Sequence, residues 1–367
     1  MKKLIAFIIV FFTLLSVRPV SAAAEEYDLS GIYNSLSDEV KSGMSEIGAG
    51  SADAGTLKDI SFEAVMSSLL NTAQSQSGSP LKGLINITAV LLICSMLSAY
   101  KSSLSPAVGE TVNAAAALCV SCAVTAPAVA LIGQAQDVIL AASNLMLAYI
   151  PVMTVILTAG GSVSGAAAYY ASVVAAGEGT ALLCSKVIVP FLNMYLGLSI
   201  VSAVTPNVNL SGFTSLISRV FKWLLGFSMA VFTAVLGVKQ LLSDSIDTVS
   251  GRAVKFAVSS FVPVVGGALA EAYKTVQGSI SLLKSGTGVF VIIAVAVTFL
   301  PVMIQGLLWQ LTLFFGKSLS EALGLSGAAR LLDGLSSVFS AVISVALCVA
   351  AVYIVSTAVV LLSGGAS

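Results

Sequence analysis

Cys119-Val-Ser-Cys122 has the spacing of a redox or metal-binding pair, and helical geometry would put the two thiols on roughly one face. The run around it is apolar and no redox-fold pattern accompanies it, so the two cysteines read as small packing residues buried between helices. Gly316-Lys317-Ser318 ends like a phosphate-binding loop, yet Leu311 stands where that loop needs its first glycine and no strand precedes it. GGSVSG at 160–165 places Val163 where a nucleophile elbow needs serine. The chain has no histidine, which removes Ser-His and Cys-His catalysis and the commonest metal ligand together. No enzyme activity, cofactor or metal is expected.

What remains is ionisable chemistry inside apolar runs. Glu178 lies between Gly177 and Gly179 in the run 164–184. A carboxylate at membrane depth is costly and faces a cavity or finds a partner. Lys186 follows eight residues later, about two helical turns, so the pair cannot close within one helix and each needs another helix or another subunit. The run KFAVSSFVPVVGGALAEAYK at 255–274 is interrupted by Pro263, Gly266 and Gly267 and closed by Glu271. Glu178, Lys186, Pro263, Gly266, Gly267 and Glu271 are the candidate pathway or interface residues. Asp137 and Glu271 each end an apolar run and reach headgroups equally well.

Such residues need membrane helices to position them. Of 367 residues 57% are hydrophobic and 9% charged, with mean hydropathy +1.02, far from a soluble domain. The fold class is all-α, a polytopic helical membrane protein. Crossing helices are expected at 84–100, 112–133, 138–159, 187–204, 223–238, 289–309 and 335–362, about seven in all. Ser, Thr and Gly within them serve close helix packing.

The runs 164–184 and 256–270 fit a full crossing poorly, the second being 15 residues, about 22 Å as a helix against roughly 30 Å of hydrocarbon. Counting both as full crossings leaves five basic residues on the cytoplasmic side and seven outside, whereas counting both as half-crossings leaves six and five. Freed backbone groups near Pro263 also need cover from protein or a water-filled cavity. Both favour two broken, re-entrant helices over kinked spans. Amphipathic stripes at 213–224 (Phe213, Leu216, Ile217, Val220, Phe221 and Leu224 opposite Arg219 and Lys222) and at 273–283 predict interfacial helices, and 318–335 predicts another surface segment.

Three regions follow. Residues 1–24 read as a signal peptide: Lys2 and Lys3, an apolar run to Val17, and small residues near Ala22. Residues 25–80 are exported to the outer face and acidic, nine acids standing against Lys41 and Lys58, a net of −7. Within them Leu29, Ile32, Tyr33, Leu36 and Val40, then Phe62, Val65, Met66, Leu69 and Leu70, recur at helical spacing. Thr56 and Asp59 resemble a capping box, while 47–56 and 74–80 read as flexible. So short a region holds too little apolar surface for its own core. It folds against a partner or the membrane domain, or stays a mobile tail. Residues 81–367 form the multi-pass domain, and with zero net charge over the chain nothing suggests a nucleic-acid partner and none is expected.

The stretch KFAVSSFVPVVGGALAEAYKTVQGS, preceded by GVKQLLSDSIDTVSGRAVK, resembles the most typical region of the stage III sporulation protein AE family, and the order of leader, acidic exported region and multi-pass domain agrees with it along the chain. The block 238–279 carries the specificity. The resemblance implies a non-enzymatic subunit of a transenvelope channel, secretion-like in character, between mother cell and forespore. It also implies residence in the mother-cell membrane around the forespore. Its partners would be other membrane proteins of the same sporulation complex, a forespore-side protein and the lipid bilayer; self-association stays open. The competing reading is a secondary transporter for a small solute or ion, built on broken helices and Glu178. Its expected repeat survives only as an echo between GEG near 178 and VGG near 266.

Overall fold

A computed structural model describes residues 30–49, 62–100, 106–159, 182–204 and 266–362, with short helical pieces between 212 and 227 and isolated positions at 167, 170 and 179. The expected signal peptide, the capping signal at Thr56, most of the run 164–184 and most of the expected span 223–238 lie outside the described residues. So does 256–265. Among the described residues every regular element is helical.

The helices are α1 (Ser30–Ser35), α2 (Asp38–Glu46), α3 (Phe62–Gln76), α4 (Gly78–Tyr100), α5 (Pro106–Ala159), α6 (Val189–Val204), α7 (Gly266–Ala322) and α8 (Ser326–Leu362), with a π-helical turn at Cys184–Ile188 ahead of α6. Five of them, α4 to α8, are long and apolar enough to cross a membrane. The expected crossings 112–133 and 138–159 are two halves of α5. No break falls between them because Gln134, Ala135 and Gln136 are good helix formers. The buried face also runs on without a phase shift through Ile132, Ala135, Ile139 and Ala142.

A similar continuity joins the expected interfacial stripe 273–283, the expected span 289–309 and Gly316–Ser318 into α7. At 57 residues this helix is about 85 Å long, and α5 with 54 about 81 Å. Pro127, Pro151 and Pro301 lie inside these helices, each deleting one backbone hydrogen bond without ending the element.

Local chemistry explains the ends. Ser37 caps α2 in extended backbone, its hydroxyl accepting from the Val40 N–H at 3.4 Å, with Asp38 and Glu39 in the first turn. The helix closes on Gly48 at φ +84, where Gly48 donates to the Ser45 carbonyl and Ala49 to that of Met44, a Schellman turn. The expected flexible stretch 74–80 is instead helical apart from Ser77, since Pro80 falls in the first turn of α4, where its missing N–H costs nothing.

The second Schellman turn, on Gly324 at φ +70, folds α7 back onto α8. Gly324 donates to the Glu321 carbonyl and Leu325 to that of Ser320, and the Leu325 side chain is buried. The predicted surface segment 318–335 is thus the tip of a helical hairpin, burying Leu325, Ala328, Leu331, Leu332 and Leu335 and exposing Glu321, Arg330 and Asp333.

Close approaches fix the register. A Cβ at Gly306 would lie 2.8 Å from Ile343, one at Gly327 2.8 Å from the Asn113 carbonyl oxygen, and one at Gly334 2.9 Å from Ser199. The contacts therefore run α7 against α8, α8 against α5, and α8 against α6. Trp309 lies across Gly83 of α4, where a Cβ would meet its ring, and faces Phe339 with ring centroids 5.8 Å apart. One hydrophobic core joins all of this, and Ile32, Leu36, Val40, Met44 and Ile47 belong to it. Of the three fates open to residues 25–80, residues 30–49 adopt packing on the chain's own bundle.

Candidate functional site

The best-formed polar arrangement lies in the α7–α8 hairpin. Gln310 Nε2 donates to the Ser336 carbonyl at 2.6 Å, and the Ser336 hydroxyl donates to Gln310 Oε1 at 2.7 Å. Both faces of one amide are satisfied by one residue of the facing helix. Toward the tip, Lys317 Nζ donates to Asp333 Oδ1 at 2.5 Å, with both side chains open to the surface. Gly324 lies midway between the two in the chain, so the hairpin itself creates the pair. The lysine of Gly316–Ser318 is thus in the last two turns of α7 with a carboxylate partner and has no loop to cradle a phosphate.

Of the sequence-predicted residues, Glu178 and Pro263 lie outside the described residues. Gly266, Gly267 and Glu271 fall in the first turns of α7, so among the described residues the glycine pair opens a long helix. Lys186 sits on the π-helical turn, exposed, and makes no ion pair among the described residues. A π-turn accommodates one extra residue in a helix and recurs at functional positions. It therefore marks Lys186 locally without giving it a partner. Nothing described brings Lys186 together with Glu271 or the glycine pair.

Cys119 and Cys122 require a correction. Expected as buried packing residues, both are exposed on the outward face of α5. The face turned inward at that level belongs to Ala116, Ala117, Val120 and Val124, and the cysteines fall on the opposite side of the same turns. Among the described residues no group of three or more His, Cys, Asp or Glu side chains gathers as a metal site.

The stripe at 213–224 divides in the structure. Ile217 and Phe221 are buried, while Phe213, Leu216, Val220, Trp223 and Phe227 face outward, with Trp223 stacked on Phe227 at 5.3 Å. Sequence reasoning allowed α2 to dock on the membrane domain but did not name the surface. Gly43 abuts Val297 of α7, 2.8 Å from a built Cβ, and Asn71 of α3 donates to Glu46 of α2 at 3.4 Å. The available signal was Gly43 itself, the small residue on the apolar face of an amphipathic helix. The whole arrangement offers surfaces for binding.

Comparison with known proteins identifies the family. The family model for Stage III sporulation protein AE matches residues 52–364. A curated relative, Stage III sporulation protein AE of Bacillus subtilis (strain 168), is 25% identical over 158 residues, covering 43% of this chain and 40% of the relative. The aligned stretch thus spans less than half the length of that relative. No solved structure matches. A match running from residue 52, ahead of α3, through the last long helix shows that the chain belongs to the stage III sporulation protein AE family, as a multi-pass membrane protein of sporulation.

Proposed function

We propose that the protein is a non-enzymatic, multi-pass subunit of a transenvelope channel or secretion-like complex that links mother cell and forespore while an endospore is built. Family membership over residues 52–364 carries this reading. The fold supports it in kind: long helices hold one core, and α1 and α2 are fastened to it with Asp38, Glu39 and Glu46 turned outward. Partners in this reading are other membrane proteins of the sporulation complex, a forespore-side protein and lipid. The protein resides in the mother-cell membrane around the forespore, with its N-terminal region on the outer face.

Isolation from sporulating cells in a mild detergent tests the reading. The expected product is a multi-protein assembly in which this chain is one component. A self-sufficient monomer or dimer that moves a solute after reconstitution alone would refute it and favour a transporter.

A further inference from the structure

Helix α5 is exposed along one continuous stripe, and the chemistry of that stripe changes once. From Ala115 through Leu118, Cys119, Cys122 and Ala126 to Val129 and Ala130 every exposed residue is apolar. From Gln134 onward Asp137, Asn144 and Thr158 join the outward face, beside Leu140, Pro151 and Val155. A helix of 48 apolar-weighted residues is about 72 Å long, more than twice the roughly 30 Å of a hydrocarbon core. The stretch from 111 to 130 alone is about 30 Å.

Two further markers fall at the same level. Leu131 lies 3.9 Å from a Cβ built on Gly306, and Gly83, next to exposed Lys82, meets Trp309 one turn along α7. The polar turn of α5 and the lysine that opens α4 are thus level with each other on α7. On one side of that level stand the exposed apolar faces of α4 (Ile93 60% and Met96 73% exposed) and the Phe314 ring, 64% exposed.

On the other side α2 covers Val297 and turns Asp38, Glu39, Ser42, Ser45 and Glu46 outward. Such a surface cannot face acyl chains. There α7 has no exposed residue from 286 to 310. Its hydropathy comes from burial in protein: 67% of its apolar window is buried, against 28% for α4.

We infer that the acyl chains of the bilayer contact α4, α5 up to Ala130 and α7 at Leu311–Phe315, and that the half of the bundle beneath α1–α3 stands outside the hydrocarbon. Hydropathy alone places 138–159 and 289–309 in lipid; the geometry makes them a protein core beyond it. The acyl surface is one-sided. Along α8 the outward residues from 326 to 344, Ser326, Arg330, Asp333, Ser340 and Ser344, are polar and lie outside it.

The test reconstitutes the full chain in vesicles of phosphatidylethanolamine and phosphatidylglycerol carrying a diazirine at the acyl terminus, followed by photolysis and peptide mapping. Several-fold more label per residue on 85–97, 115–130 and 311–315 than on 138–158 is the expected result. Equal labelling of 138–158 overturns the inference. Absence of label from 85–97 overturns it too, because a second protein would then cover α4. As an independent readout, a spin label at Val155→Cys in a chain whose five native cysteines are replaced by alanine should collide with a water-soluble nickel chelate. At Ile93→Cys it should collide with oxygen instead. The reverse pattern refutes the placement.

Discussion

Gly327 is a position where a single methyl group decides how near two long helices lie. A Cβ there would meet the backbone oxygen of Asn113 at 2.8 Å, and a backbone atom cannot swing aside as a side chain can. Gly327→Ala is expected to part α8 from α5 and cost about 1–3 kcal/mol, read as a lower midpoint for thermal unfolding in detergent. Gly197 on α6 provides the contrast, with nothing within 4 Å of its built Cβ. Gly197→Ala should be neutral or stabilise by up to about 1 kcal/mol, the helix-propensity difference alone. If the two variants melt alike, close packing at Gly327 is not what sets the spacing. Neither role could be read from the letters, because Gly197 sits in an apolar run and Gly327 in a segment that reads as surface, and only the facing helix distinguishes them.

At the scale of elements, the hairpin depends on Gly324. Its φ of +70 is a conformation that costs a residue with a Cβ about 1–2 kcal/mol. Gly324→Ala should therefore accelerate hydrogen exchange at the Gly324 and Leu325 amides by roughly five- to thirtyfold, and unchanged exchange would contradict the turn's role. Periodicity marked helical structure at 29–40 and 62–70, and Ile32, Leu36 and Val40 are all buried, but it read the first stripe as one helix where α1 ends at Ser35 and Ser37 caps α2. The long helices were legible as apolar but not as continuous. Gln134, Gln136 and Asp137 look like a loop by polarity, yet they occupy outward positions of an unbroken helix. Polarity in the letters does not distinguish a loop from an exposed turn. Among the candidate site residues, only Lys186 gained a described side-chain environment. The hairpin pairs Gln310–Ser336 and Lys317–Asp333 depend on a fold-back that apolar composition conceals.

For the whole molecule, the docking of the N-terminal helices is the most exposed claim. Met44 is fully buried and lies one residue from the Gly43–Val297 contact. A carboxylate there would be unpaired in an apolar seam, at a cost of several kcal/mol. Met44→Glu is expected to release α1 and α2 while α4 to α8 stay assembled, seen as faster tryptic cleavage after Lys41 with little change in the hairpin's exchange protection. Cleavage at the wild-type rate would mean that the seam does not hold the region in place. Composition indicated only that residues 25–80 needed shelter; it could not name the sheltering surface, because that surface reads in sequence as an ordinary span.

The seam between α2 and α7 also imposes an order in time. Thr312 reaches back to the Pro80 carbonyl across 232 residues, and Val297 answers Gly43 over a still longer interval. At ribosomal speeds of about 5–20 residues per second, α2 waits roughly 10–50 s for α7 to be synthesised. Throughout that interval Val40 and Met44 lack their native cover from α7, while α1 already has its partner α5. Docking of α2 is therefore a late step of biogenesis, completed after α1 has met α5.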